Sequence, residues 1–202
     1  MKEIDATSGP HEPTDWFAFL REFLTNPRTT ASIAPSGKQL GKLMASAIPT
    51  GARRVMELGA GTGSITQALL RMGTRPNDLC IVEVNPNLHA LLQARYPDSQ
   101  VLCGDARDLE ALSAGWRQRQ PCVDAICSSL GMLAIPENIR LAIMTAACNV
   151  LRPGGVFVQY TYGPKCPIGA SIRERLGLER RFAGFAWRNL PPARVLVYER
   201  NH

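Results

Sequence analysis

The sequence has no stretch approaching eighteen uninterrupted apolar residues, so no segment is expected to cross a membrane as a helix. The N-terminal residues MKEIDATSGPHEP lack the basic and apolar blocks of a secretory signal, and the expectation is a soluble, cytoplasmic chain. None of the six cysteines (Cys80, Cys103, Cys122, Cys127, Cys148, Cys166) forms a C-x-x-C pair, and four fall in or beside apolar runs. That argues for reduced core thiols rather than disulfides or zinc ligands, and no metal is expected. Histidine is scarce: His11 is in the leading tail, His202 is terminal, and only His89 stands inside a patterned segment. Repeats and low-complexity tracts are absent too, which removes solenoid and fibrous architectures.

What is present suits one globular domain: 202 residues, 45% hydrophobic and 20% charged. The net charge of +6 is uneven, because residues 165–202 carry eight Lys/Arg against three Glu and residues 1–25 carry two against five Asp/Glu. A basic C-terminal face suits the phosphates of nucleic acid or lipid, and equally a solvated arginine-rich surface.

Residues 1–13 read as a loose tail. From Thr14 the positions Trp16, Phe17, Phe19, Leu20, Phe23 and Leu24 follow helical spacing, with Asp15, Arg21 and Glu22 elsewhere on the wheel, and Asn26-Pro27 ends the helix. After the loop RTTASIAPS a second helix is predicted over SGKQLGKLMASAI, with Ser36 as cap and Gln39 closing a capping box. Beyond Gly51, strand-like runs (RRVMEL, LCIVEV, QVLCGD, VDAICSSL, GGVFVQY) alternate with helical ones (SITQALLRM, PNLHALLQARY, PENIRLAIMTAACNVL). This predicts an α/β fold with a doubly wound, mostly parallel sheet, and RRFAGFAWRNLPPARVLVYER adds an antiparallel C-terminal hairpin. The expected division is a tail and helical cap over 1–50 and a ligand-binding domain over 51–202.

The chemistry is announced at the end of the first strand, where Glu57-Leu58-Gly59-Ala60-Gly61-Thr62-Gly63 runs straight into a helix. A glycine turn there lets a ligand approach the backbone, with helix N-terminal N–H groups aimed at it. A dinucleotide fingerprint needs glycine where Ser64 stands, and no Lys-Ser/Thr follows to make a phosphate loop, which leaves a nicotinamide-dependent dehydrogenase a distant reading. From about residue 51 onward this E-x-G-x-G-x-G pattern resembles class I (Rossmann-like) S-adenosylmethionine-dependent methyltransferases. The resemblance implies S-adenosylmethionine as cofactor, S-adenosylhomocysteine as product, and a loop around its methionine and ribose. Carried over, Glu57, Gly59, Gly61 and Gly63 form that loop. Glu83 takes the ribose hydroxyls with Val84 beside it, and Asp105 and Ala106 meet the adenine.

The acceptor must be argued from other segments. Ser128-Ser129-Leu130-Gly131 after the fourth strand lacks the N-L-P-aromatic pattern of rRNA adenine methylases. The segments FLREFLTNPRTTASIAPSGKQLGKLM, QYTYGP and WRNLPPARV resemble bacterial soluble phospholipid N-methyltransferases, over residues 19 to about 199. That family often has proline after the leucine of Ser129-Leu130-Gly131, and this chain does not. The resemblance implies methylation of phosphatidylethanolamine toward phosphatidylcholine by a protein bound peripherally to the cytoplasmic membrane. Trp16, Phe19 and Phe23 would then insert at the interface, or else pack on the protein. Arg28, Lys38 and Lys42 would attract anionic headgroups, and Arg188 and Arg194 would grip the lipid phosphate. Tyr160, Tyr162, Ser128 and Ser129 are the candidates around the reacting amine. An RNA methyltransferase and a non-catalytic cofactor- or membrane-binding module remain as alternatives.

Overall fold

The structure, a computed structural model, describes residues 35–118, 120–189 and 191–201. The expected first helix, with Trp16, Phe19 and Phe23, lies outside them, as does Arg28. Strands β1 (Val55–Leu58), β2 (Leu79–Glu83), β3 (Gln100–Cys103), β4 (Val123–Ser128) and β5 (Leu151–Tyr162) pair in parallel. Strands β6 (Leu178–Ala186) and β7 (Ala193–Arg200) add an antiparallel hairpin, giving the order β3-β2-β1-β4-β5-β7-β6. Every residue of β1 and β2 is buried, because helices cover both faces of a parallel sheet, and these segments therefore read as unbroken apolar runs.

The helices are α1 (Pro35–Ser46), α2 (Ser64–Arg71), α3 (Pro86–Arg95), α4 (Leu109–Leu112), α5 (Ala114–Arg117), α6 (Glu137–Val150) and α7 (Ala170–Arg175). One face of the sheet is covered by α1, α2 and α3, where Leu40, Met44, Ile65, Leu69 and Leu92 share a core with Val55, Ile81, Val158, Val195 and Val197. The opposite face carries α6 and α7, where Ile143, Met144, Ala147 and Ile172 meet Met56, Val82, Ile126, Phe157, Leu196 and Tyr198. Each buried Val, Leu, Ile or Met among them contributes roughly 1.5–3 kcal/mol. Gly41 lets α1 lie against α2, since a Cβ there would stand 3.1 Å from Ala68 Cβ.

The alternation and the closing hairpin are as the pattern predicts. The capping box is not: α1 already includes Pro35 and Ser36, and the Gln39 side-chain Oε1 accepts from the Arg188 N–H at 2.8 Å. The side chain is spent on joining α1 to the hairpin. The short helices α4, α5 and α7 were not foreseen, being too brief to show a periodicity. All six cysteines are free thiols; Cys80, Cys127 and Cys148 are buried as expected, Cys166 is half-buried, and Cys103 and Cys122 are exposed. No described helix is long and apolar enough to cross a membrane.

Candidate active site

The glycine loop leaves β1 and enters α2 with three left-handed residues, Gly59 (φ 69°), Gly61 (φ 57°) and Gly63 (φ 84°). A Cβ on Gly59 would stand 2.7 Å from Leu130 Cδ2, and one on Gly63 2.8 Å from the Tyr96 ring, so both glycines are fixed by packing. At Gly61 a Cβ would meet nothing within 4 Å, which leaves the backbone open to a ligand on that side. Glu83, buried at the end of β2, holds the loop in place: its Oε2 accepts from Gly61 N–H at 2.9 Å and its Oε1 from Asn85 N–H at 2.9 Å. Each oxygen keeps a further lone pair for a hydroxyl donor. Asn85 in turn caps α3, accepting from the N–H groups of Asn87 and Leu88, with Pro86 in the first turn.

Two residues of this loop's support were missed from sequence. The Tyr96 hydroxyl donates to Gly63 O at 3.0 Å, and Arg95 Nη1 donates to Thr62 O at 3.0 Å, so the end of α3 clamps the loop from behind. Nothing in QARYPD separates such a clamp from an ordinary helix end.

Glu57 is fully buried. Thr66 Oγ1 donates to its Oε2 at 2.5 Å, while Oε1 has no protein partner. Burial pushes its carboxyl up to about 8, against the lowering pull of the Thr66 hydrogen bonds. A buried, unpartnered carboxylate oxygen beneath the glycine loop suits a cationic ligand, which would favour its charged form. Beside the loop, Gly59, Val82, Val84, Gly104, Asp105, Ala106, Leu130, Ile135 and Ile143 line a slot. Its aliphatic walls suit a flat heterocycle, and Asp105 stands at its rim. Asp105 Oδ1 accepts from Arg107 N–H at 2.8 Å and Oδ2 from Arg107 Nη2 at 2.9 Å, which fixes the carboxylate. Groups suited to a cation, a diol and a heterocycle thus lie in sequence along the ends of β1, β2 and β3. Glu57, Glu83, Val84, Asp105, Ala106 and the three glycines fit S-adenosylmethionine as a set.

Ser128 and Ser129 follow at the end of β4. Ser128 is buried, with its Oγ accepting from Leu130 N–H at 3.3 Å, and Ser129 N–H donates to Leu58 O at 2.9 Å, so both shape the turn into the slot. Gln159, opposite Ser128 in the sheet, donates from Nε2 to Leu130 O at 3.0 Å and to Tyr160 O at 2.8 Å, leaving its buried Oε1 without a protein partner. This amide lies within the QYTYGP segment and was not singled out from sequence.

Tyr160 and Tyr162 stand edge to face at 5.5 Å between ring centroids. Burial, with Tyr162 beside it, pushes the Tyr160 phenol well above its ordinary range, so it keeps its proton at neutral pH. Tyr162 is exposed, and Asn189, buried in the hairpin turn, donates from Nδ2 to the Tyr162 hydroxyl at 3.3 Å and to Pro191 O at 3.0 Å. Asn189 was missed because Asn-Leu-Pro-Pro announces only a turn. Lys38 is exposed on α1, and the exposed Arg188 is tied to α1 through Gln39. Arg194 is not brought together with the tyrosines: it lies opposite Thr161, on the α6 face, and its Nη2 donates to Lys165 O at 3.3 Å. His89 points its ring at Val101 O, away from the end of β5.

Residues 55–155 match the family described as "Methyltransferase domain". The chain is 32% identical to an ornithine lipid N-methyltransferase of Singulisphaera acidiphila over 183 residues, 89% of this chain and 93% of that protein. A TehB-like S-adenosylmethionine-dependent methyltransferase from Corynebacterium glutamicum has the same fold, with a TM-score of 0.64 at 18% identity over 94% of this chain and 100% of that one. So does the N-methyltransferase NodS from Bradyrhizobium japonicum, solved with S-adenosylhomocysteine, with a TM-score of 0.62 at 16% identity over 92% and 98%. With the donor cradle and the sheet order in place, the chain belongs to the class I S-adenosylmethionine-dependent methyltransferases.

Proposed function

We propose that this methyltransferase acts on the headgroup amine of a membrane lipid, working as a peripheral protein at the cytoplasmic face of the membrane. The observation that carries the reading is the 32% identity, along 89% of the chain, to an ornithine lipid N-methyltransferase. The acceptor first read from the sequence, phosphatidylethanolamine with its methylated forms on the way to phosphatidylcholine, shares with ornithine lipid a primary amine near the membrane interface.

S-adenosylmethionine supplies a methyl group on a sulfonium whose departing thioether is neutral. The acceptor nitrogen must therefore arrive with a free lone pair, and a lipid ammonium has to lose a proton first. Tyr160 is already protonated and held so by burial, which leaves it unsuited to take that proton. Tyr162, steadied by Asn189, can orient the amine through its hydroxyl or the face of its ring. Withdrawing the headgroup from water lowers the amine's own pKa and shifts it toward the reactive form. Arg188 and Lys38, exposed on the hairpin and α1, suit the lipid's anionic group.

The test is transfer of labelled methyl from S-adenosylmethionine to three acceptors in parallel: vesicles with phosphatidylethanolamine, vesicles with ornithine lipid, and RNA. Label is expected in the lipid fraction, and the better lipid names the substrate. Label confined to RNA, or in none of the three despite measured cofactor binding, would overturn the reading.

A further inference from the structure

The edge strand β6 carries three large rings in the open: Phe182 is 55%, Phe185 39% and Trp187 67% exposed. They form one ladder, with Phe182 edge to face on Phe185 at 5.0 Å and Phe185 stacked on Trp187 at 4.5 Å. Strand alternation alone would put residues 182 and 185 on opposite faces. A register shift between Phe182 and Gly184 removes that offset: Phe182 lies opposite Leu196 and Phe185 opposite Arg194, both on the α6 face. Gly184 (φ 151°) meanwhile turns to the other face, where a Cβ would touch Leu43 of α1 at 3.1 Å. The bulge therefore gathers the rings on one side of the edge strand.

Among the described residues of the hairpin, the charges on the face of the ladder are positive. Arg180 lies opposite Tyr198 and Arg194 opposite Phe185, so both share the face of the rings; Lys165 supplies the carbonyl that holds Arg194, and Arg188 follows Trp187. The acidic residues of the hairpin, Glu179 and Glu199, lie opposite each other, one position out of phase and on the face of α1. Exposed aromatic rings rimmed by arginine and lysine match a lipid–water interface with anionic headgroups: the rings enter the acyl boundary and the cations stay at the phosphates. The ladder also ends at the turn that carries Asn189 and touches Tyr162, so a surface docked here would lie beside the proposed acceptor site.

We propose that Phe182, Phe185 and Trp187, with Arg180, Arg188, Arg194 and Lys165 around them, form a docking face for an anionic lipid surface. This rests on the lipid-amine reading for its purpose, but its test does not need turnover. The full-length protein is sedimented with vesicles of phosphatidylcholine containing phosphatidylglycerol, and with pure phosphatidylcholine, beside the triple variant Phe182→Ser/Phe185→Ser/Trp187→Ser and the single variant Arg180→Glu. Binding is expected to the anionic vesicles, weaker by about tenfold or more in the triple variant and reduced in Arg180→Glu. S-adenosylmethionine affinity and transfer to dispersed short-chain phosphatidylethanolamine should be unchanged in both, which shows that the fold is intact. Vesicle binding equal in wild type and triple variant, or no binding by wild type, would overturn the docking face. So would a wild-type dimer that the triple variant turns to monomer, since the face would then be a subunit contact. Patch-dependent vesicle binding without methylation of any lipid would uphold the docking face and sink the lipid-amine reading; methylation with patch-independent binding would do the reverse.

Discussion

At the ends of β1 and β2 almost every polar group is tied to the backbone: Glu83 holds Gly61 and Asn85, Tyr96 holds Gly63, and Arg95 holds Thr62. At the ends of β5 and β6 the side chains stand open, with Tyr162 exposed between Asn189 and the Tyr160 ring and the rings from Phe182 to Trp187 facing outward. The first region is a preorganised cradle, suited to a donor that is the same in every turnover. The second is an edge, suited to an acceptor presented on a surface. One sheet thus separates a half finished before the ligand arrives from a half that its acceptor completes.

The sharpest way to break the cradle is Glu83→Ala, which frees two backbone N–H groups and removes the acceptor proposed for the ribose diol. Calorimetry should show S-adenosylmethionine binding weakened about 100-fold, since each bond to a charged group contributes about 1.5–3 kcal/mol. A loss under threefold would contradict the clamp.

Glu57 adds a pH signature to the same half. Its carboxyl is raised in the folded state, so the folded protein holds the proton more tightly than the unfolded chain. The stability this contributes is full below the ordinary carboxylate range and is lost as pH climbs toward about 8. Between pH 5 and 8 the slope should be on the order of 1 kcal/mol per pH unit, and denaturant melts of Glu57→Gln should lack it. A cationic donor draws the carboxylate into its charged form, so binding below pH 8 should release a proton in wild type and not in Glu57→Gln.

In the open half, Tyr162→Phe removes one hydroxyl. Methyl transfer should fall about tenfold, one hydrogen bond's worth, with cofactor affinity unchanged. Equal losses in both would place Tyr162 in the cradle instead. The smallest effect is expected from Tyr96→Phe, which removes one of the two donors to Gly63 O and leaves the Gln67 N–H, and should weaken cofactor binding about fivefold. No change would mean that packing against Gly63 suffices.

The same contrast decides what the sequence made legible. Glu57, the three glycines, Glu83 and Asp105 stand at or just after strand ends, and those positions are legible in the sequence because each follows an apolar run directly. Tyr96, Gln159 and Asn189 are not, since their hydrogen bonds span 27 to 33 residues, which no local pattern encodes. Gln39 looked like half of a local cap and proved to be the tie from α1 to Arg188. Arg188 and Arg194 looked like a pair within WRNLPPAR, yet pairing opposite Thr161 turns Arg194 to the α6 face. The aromatic ladder escaped notice because RRFAGFAW alternates imperfectly, and only the bulge brings its rings to one side.

The proposed division between a finished donor half and an acceptor half completed by a membrane is tested most directly by one rate comparison. Methyl transfer is measured at saturating S-adenosylmethionine with phosphatidylethanolamine in anionic vesicles and with free phosphoethanolamine at the same amine concentration. The membrane-borne amine is expected to react at least about tenfold faster, the gain from local concentration at a docked surface. Equal or faster transfer to the soluble amine would contradict it.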